Sequence, residues 1–331
     1  MADLMIKTFE NKIFPFIEGM TILDSAIDNG INFAYSCKTG RCGICKTTLI
    51  KGEIEEIRNQ TALIGGTNKE FLSCCCIPKT DITIDAKDLS VLRDIKKVLV
   101  PAKINTLELL SKDIIKIDLR LPPANSLNFI EGQYIDLIGP NGIKRSYSIA
   151  SKKDSDLISL IIKRVDKGVF SEYLFNKAKA NDLLRIEGPK GTFFVRDLSK
   201  HLIFLATGTG IAPIISILES IDSNENYKQN RNITLIWGNR DPENFFWEPD
   251  FVNIQIDFVS LISQVNNNWN QGFGYVQDFL FQSVKNINDS DIYAAGSNDM
   301  INDLRTRLEV SKFDLQNFYS DAFLSTNNYG V

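Results

Sequence analysis

Eleven residues, Ser36 to Lys46, read SCKTGRCGICK and hold the densest chemistry in the chain. Cys37, Cys42 and Cys45 stand in a C-x4-C-x2-C spacing, in which thiolates can hold a [2Fe-2S] cluster if a distant fourth thiolate completes the set. The segment FLSCCCIPKTDITI supplies that donor in Cys74, Cys75 or Cys76. A loop that wraps a cluster must turn tightly and aim backbone N–H groups at sulfur, and Gly40 and Gly43 permit such turns. Zinc and a disulfide set are the competing readings. Zinc motifs usually join two short knuckles, whereas here only one knuckle is short and the second group is contiguous.

Later stretches carry residue types suited to phosphates and flat rings. Arg145-Ser146-Tyr147-Ser148 falls on a strand, where alternation sends Arg145 and Tyr147 to one face and Ser146 and Ser148 to the other. A guanidinium matches phosphate oxygens bidentately, and an aromatic face suits a planar ring. Gly168-Val169-Phe170-Ser171 opens the helix-like SEYLFNKAKA, a place where backbone N–H groups can meet a phosphate. The run His201 to Ala206 passes into Thr207-Gly208-Thr209-Gly210-Ile211-Ala212-Pro213, a strand, glycine turn and helix that present a helix start to an anion. His201 is the only histidine, so no histidine-centred nucleophilic triad is available.

The elements that must position these groups fall into three stretches. Residues 1–90 read as a small mixed fold: a hairpin (Met5 to Phe9, Lys12 to Phe16), a helix starting at Thr21 and ending at Gly30, and short strands at Thr47 to Ile50 and Ile82 to Asp85. Residues 86–100 read as a linker. From 98 to 198, short β-rich runs separated by Pro- and Gly-containing turns favour a closed antiparallel barrel. From 199 to 331, strands at Ile233 to Gly238, Ile254 to Leu261 and Asp291 to Ala295 alternate with helical patterns, which predicts a parallel α/β sheet.

Composition sets the outer limits. A chain of 331 residues with 44% hydrophobic and 24% charged content suits a soluble protein of two or three domains. The net charge of −4 and the lack of a basic run with interleaved aromatics argue against nucleic acid. The start MADLMIKTFENK lacks the pattern of a signal peptide, and the apolar stretch Leu202 to Leu218 is broken by Gly208, Gly210 and Pro213, so no membrane span is expected. All six cysteines lie within the first 76 residues, which fits a reducing cytoplasm.

The cluster loop and Leu72-Ser73-Cys74 resemble the plant-type ferredoxin domain. In that family the first cysteine of an L-[ST]-C segment is the ligand, which implies Cys74 as the fourth donor and leaves Cys75 and Cys76 as small buried hydrophobes. The Arg145 to Ser148 segment resembles the R-x-Y-S motif of the ferredoxin-NADP reductase superfamily. The resemblance implies FAD, with Arg145 on the pyrophosphate, Tyr147 against the isoalloxazine and Ser148 near the flavin N5. Gly168 to Ser171 would then form the second phosphate segment. Thr207 to Pro213 resembles that superfamily's G-T-G-[IV]-[AT]-P cradle for the nicotinamide dinucleotide. Asn239 and Arg240 stand where the adenosine ribose is read, and the absence of a basic cluster around Arg240 points to NADH over NADPH. Tyr293 to Met300 is similar to the C-G-P-P-x-M segment and keeps Gly296 and Met300. It departs from that segment at Ala295, Ser297 and Asn298, which puts a thiol role in doubt. Phe323 is the candidate for the terminal aromatic over the flavin.

A nicotinamide gives up two electrons at once and a [2Fe-2S] cluster accepts one, so a flavin between them acts as the converter. Plant-type clusters lie at roughly −400 mV, low enough to drive a demanding reduction. The resemblance covers nearly the whole chain and has two branches. One is the reductase components of multicomponent oxygenases, of phenol hydroxylase or aromatic dioxygenase type. The other, closer in SCKTGRCGIC, FLSCCCIPKT, IKRSYSIA, IEGPKGTFF and FYSDAFLSTNN, is the CDP-6-deoxy-L-threo-D-glycero-4-hexulose-3-dehydrase reductases. That branch implies electron delivery to a pyridoxamine phosphate-dependent sugar dehydrase in 3,6-dideoxyhexose synthesis. A non-enzymatic ferredoxin-like carrier with an inert reductase half is the reading of another class.

Overall fold

A computed structural model describes residues 4–62, 69–123, 127–198, 200–224, 232–264 and 269–323, residue 141 by its backbone alone. The last residues of FYSDAFLSTNN, from 324 onward, lie outside the described residues. The chain forms two compact units, Met1–Lys96 and Lys97–Val331.

In the first unit, β1 (Met5–Thr8) and β2 (Ile13–Pro15) form the expected hairpin. Helix α1 (Ile22–Asp28) begins where Thr21 Oγ1 accepts the Asp24 N–H at 3.1 Å, and it stops ahead of Gly30 at φ +75°. Ile22, Leu23 and Ala26 on this helix are fully buried in a cluster with Phe33, Phe71 and Leu72, each large side chain contributing about 1.5–3 kcal/mol. Strands β3 (Lys46–Lys51), β5 (Glu70–Leu72) and β7 (Ile82–Ile84) complete a sheet of order β2-β1-β7-β3-β5, and β4 (Ile54–Glu56) pairs with β6 (Cys76–Pro78). One parallel pair, β1 with β7, sits at the centre of this β-grasp-like sheet.

Most of the expected linker is folded onto this unit. Asp88 is buried, accepts the Asn32 N–H at 2.8 Å and pairs with Lys12, while Leu92 is buried in a short 3-10 turn. A carboxylate with a lysine partner and a backbone donor can be buried at little cost, which a mixed-charge segment does not advertise.

The second unit holds two sheets. Strands β8 (Val98–Ser111), β9 (Ile114–Arg120), β10 (Tyr134–Ile138), β11 (Lys144–Ser148), β12 (Ile158–Lys163) and β13 (Leu183–Lys190) run antiparallel in the order β11-β10-β13-β8-β9-β12. An Ile149↔Leu160 bridge joins the two ends and closes the barrel. The sequence suggested only Lys103–Ile104 of β8, because the mixed charge of residues 86–100 reads as a linker. Pro101 sits at an exposed position of the alternation, where proline is tolerated. Helix α2 (Val169–Asn176) packs Phe170 and Leu174 into the barrel core.

The other sheet is parallel throughout. It comprises β14 (His201–Thr207), β15 (Ile233–Asn239), β16 (Ile256–Ile262), β17 (Gly272–Phe273), β18 (Ser290–Ser297) and β19 (Phe318–Phe323), in the order β17-β16-β15-β14-β18-β19. Helices α3 (Ile211–Ser223), α4 (Val276–Ser283) and α5 (Asn298–Val310) connect or flank these strands. Continuous apolar runs such as Leu202 to Ala206 are those of strands covered on both faces. Strand order reverses between β14 and β18, the place where such sheets open a ligand crevice. No helix of the described residues is long and apolar enough to cross a membrane.

Candidate functional site

The cluster loop lies between α1 and β3. The register Lys46↔Leu72 brings Cys45, just before β3, beside Cys74, just after β5. Their sulfurs are 3.2 Å apart, and the Ser73 N–H and hydroxyl both donate to the Cys45 carbonyl. Cys37 and Cys42 form a second hydrogen-bonded thiol pair. The donors therefore divide two and two, as a two-iron cluster requires. Cys75 Sγ lies 3.6 Å from Cys74 Sγ, so a third thiol stands beside the second pair.

Within each pair one thiol is lowered and its partner raised. The bond from Cys42, with the Thr39 and Arg41 N–H groups, brings the Cys37 thiol down to about 5. The bond from Cys45 leads the causes that lower Cys74 to about 7, with the Gly40 N–H assisting. Their partners Cys42 and Cys45 are pushed the other way by those same bonds and by burial. Burial raises Cys76 to about 12 and pushes Cys75 up as well, which is the behaviour of packed core thiols. Gly40 is at φ +78°, and a Cβ there would meet the Asn59 carbonyl at 2.3 Å and Cys75 Sγ at 2.8 Å. Arg58 Nη1 donates to the Cys74 carbonyl at 3.2 Å and the Lys38 carbonyl at 3.4 Å, tying the fourth-cysteine segment to the loop.

On the barrel, β11 carries Arg145 to Ser148. Arg145 Nη1 donates to the Lys144 carbonyl, and among the described residues the guanidinium is in no ion pair. Ser146 donates to Asp136 at 2.6 Å. The Tyr147 ring lies 6.3 Å from Phe170 at 25°, and burial pushes its phenol well up. Ser148 is buried and donates to Asp321 Oδ2 at 3.1 Å, 173 positions along the chain. The Gly168 segment behaves less uniformly than expected. Gly168 caps α2 and Val169 is exposed, but Phe170 is core, and the Ser171 oxygen accepts the Val165 N–H at 2.9 Å while its own proton is left to donate.

At the C-terminal edge of the parallel sheet a cavity of about 720 Å³ opens. Thr207, Gly208, Thr209, Asn239, Arg240, Gly296, Met300 and Phe323 all line it. Gly210 and Pro213 do not, being buried. A Cβ on Gly210 would meet the Ala295 carbonyl at 2.2 Å, so this glycine serves the close approach of the two strand ends. Gly296 is at φ +123°, and Thr207 Oγ1 accepts the Ser297 N–H at 2.8 Å. Asn239 is buried, and among the described residues its Nδ2 meets no acceptor, which suits it to donate to a bound polar ligand. The sequence reading missed Lys163, Ser263, Tyr275, Gln277 and Asp299 of the wall, and it missed Asp321. Only Gly274 ahead of Tyr275, at φ +126°, left a signal in the sequence.

Comparison with known proteins finds three matching domains. Residues 8–79 match the family described as 2Fe-2S iron-sulfur cluster binding domain, 101–195 the oxidoreductase FAD-binding domain and 204–306 the oxidoreductase NAD-binding domain. Protein RfbI of Salmonella typhimurium is 35% identical, with 98% of each chain covered. The CDP-6-deoxy-L-threo-D-glycero-4-hexulose-3-dehydrase reductase of Yersinia pestis is 37% identical over 92% of this chain and 93% of its own. Terephthalate 1,2-dioxygenase reductase component 1 of Comamonas sp is 31% identical, with 95% of each covered. The ferredoxin reductase in carbazole 1,9a-dioxygenase shares the fold at a TM-score of 0.67 and 23% identity, covering 98% of this chain and 99% of its own. With FAD- and NAD-binding oxidoreductase domains present, the reading as an electron carrier with an inert second half is set aside.

Proposed function

The chain belongs to the family of NAD(P)H-dependent reductases that join a [2Fe-2S] ferredoxin domain to FAD- and NAD-binding domains, and we propose that its acceptor is a pyridoxamine phosphate-dependent dehydrase acting on CDP-4-keto-6-deoxyglucose. The observation that carries this choice is near-full-length identity of 37% to a dehydrase reductase, against 31% to a dioxygenase reductase. We assign residues 1–90, 98–198 and 199–331 to the cluster, FAD and NAD domains, working in the cytoplasm with NADH as donor.

When bound, FAD takes hydride as an electron pair and releases electrons singly, the conversion a one-electron cluster requires. The protein's share is holding and orienting. Cys37 with Cys42 and Cys45 with Cys74 would hold one iron each, and loop N–H groups would stabilise the charge on sulfur. Arg145, in no ion pair among the described residues, would pair with the FAD pyrophosphate, assisted by the Gly168–Val169 end of α2. Tyr147 and Phe323 would flank the ring. Because the Ser148 proton goes to Asp321, the Ser148 oxygen would be left as an acceptor toward the flavin N5 edge once that nitrogen carries a proton. Thr207 to Thr209 and Gly296 would cradle the dinucleotide, with Asn239 and Arg240 toward the adenosine ribose.

The test is reconstitution with NADH, a candidate dehydrase and CDP-4-keto-6-deoxyglucose. The proposal expects NADH consumption coupled to C3 deoxygenation. NADH use only with a hydroxylase or dioxygenase and an aromatic substrate would reject it in favour of the oxygenase branch, which the terephthalate relative represents.

A further inference from the structure

Trp237 ends the apolar part of β15 and is completely buried. Its register neighbour on β14 is Ala206, one step before the glycine turn. The indole Nε1–H donates to the Gly208 carbonyl at 2.9 Å. Phe245 and Phe246 meet the indole edge-on, with centroids at 4.9 Å and 5.1 Å and interplanar angles of 84° and 77°. The ring therefore has one orientation available to it, and so does its N–H. The Gly208 carbonyl also accepts the Ile211 N–H, which fixes it along the axis of the 3-10 turn.

Peptide planarity turns this into a statement about the cavity. Across the Gly208–Thr209 bond the C=O and the N–H point in opposite directions. A carbonyl held inward by the indole sends the Thr209 N–H outward, toward the space that Gly208 and Thr209 line. Gly208 stands at φ +55° with nothing within 4 Å of a notional Cβ, so packing around this residue does not itself hold the turn. The indole N–H adds a side-chain donor to the carbonyl that the Ile211 N–H already holds from within the turn.

We propose that Trp237 is a positioning residue for dinucleotide binding, its indole N–H pinning the Gly208 carbonyl so that the Thr209 amide faces a phosphate oxygen of the pyrophosphate. The inference rests on assigning this cavity to the nicotinamide dinucleotide. A tryptophan that merely fills the core would also find its N–H a partner, so the test must separate aim from packing.

Trp237→Phe keeps an aromatic ring in the Phe245–Phe246 slot and removes the donor. Loss of one neutral hydrogen bond at this point raises the KM for NADH and the dissociation constant of ADP-ribose about three- to tenfold. Turnover with a dye acceptor at saturating NADH, FAD content and the visible spectrum stay within about twofold of wild type. A lowered melting temperature with unchanged NADH KM and ADP-ribose affinity would show a packing role and overturn the inference. Should the Phe variant fail to fold, benzothienylalanine at position 237 keeps the bicyclic shape and replaces N–H by sulfur. The same KM rise is expected, and an unchanged KM again overturns the inference. Wild-type protein that does not bind ADP-ribose would remove the cavity assignment itself, whereas tight binding untouched by either substitution removes only the role of Trp237.

Discussion

The cluster loop and the dinucleotide cavity solve the same problem, holding a cofactor still, with opposite materials. In the reading proposed above the cluster site uses side chains: three thiols of the loop, set by a ferredoxin-type spacing, and Cys74, brought beside Cys45 by the register of β3 on β5. The cavity uses backbone: two glycine turns at adjacent strand ends, kept close by Gly210 against Ala295 and by Thr207 on the Ser297 N–H. A side-chain site is lost all at once when a donor goes. A backbone site degrades by geometry, through residues that never touch the ligand.

The largest effect therefore belongs to the loop. Cys42→Ser should abolish cluster iron and its visible bands while NADH-to-dye turnover through the flavin persists; full cluster absorbance in the variant would break the comparison. Cys75→Ser, by contrast, should keep the cluster. In the cavity, Gly210→Ala forces a Cβ onto the Ala295 carbonyl at 2.2 Å. Overpacking there should cost about 1–3 kcal/mol of stability, and the displaced turn should raise the NADH KM with cluster content intact; thermal melts and steady-state kinetics beside iron analysis would check both halves.

The flavin segment is intermediate. Arg145→Ala removes a charge-assisted contact worth about 1.5–3 kcal/mol, so FAD affinity should fall tenfold or more; an unchanged dissociation constant would take Arg145 out of the site. The smallest effect is at Asp24, whose carboxylate pairs with Lys38 of the loop at 2.8 Å. Burial raises this carboxyl, but the Lys38 bond and charge and the Thr21 hydroxyl outweigh it and hold it below its ordinary value. A depressed carboxylate contributes stability above its unfolded pKa of about 3.9 and loses it as pH falls through the lower folded value. Asp24→Asn should thus cost about 0.2–1 kcal/mol at neutral pH, as a part-exposed pair does. Urea midpoints of variant and wild type should converge in acid, and a gap that widens there would contradict the assignment.

The same contrast explains what could be read in advance. Cys37, Cys42 and Cys45 were legible because thiol spacing within one loop is local. The choice of Cys74 over its neighbours needed a family pattern, since the pairing of β3 with β5 joins residues far apart in sequence. The closed barrel and the parallel sheet followed from strand length, turn residues and alternation. The full extent of β8 did not, because its proline occupies an exposed position that sequence alone cannot assign. The glycines of the cavity stood out, whereas Ser263, Tyr275, Gln277 and Asp299 reach it from loops behind different strands. Asp321 became visible only once β19 had been placed beside β18. Ser171 accepts the Val165 N–H and Pro213 is buried on α3, placements that the motif pattern alone does not give.

The central claim is that electrons enter in pairs from a nicotinamide and leave one at a time through Cys37, Cys42, Cys45 and Cys74. Anaerobic titration of the reconstituted protein with NADH, followed by low-temperature EPR, tests it most directly. The account predicts a reduced [2Fe-2S] signal that grows with NADH and is absent from Cys42→Ser. Flavin bleaching by NADH with no such signal at any point, in protein that retains its iron, would contradict it.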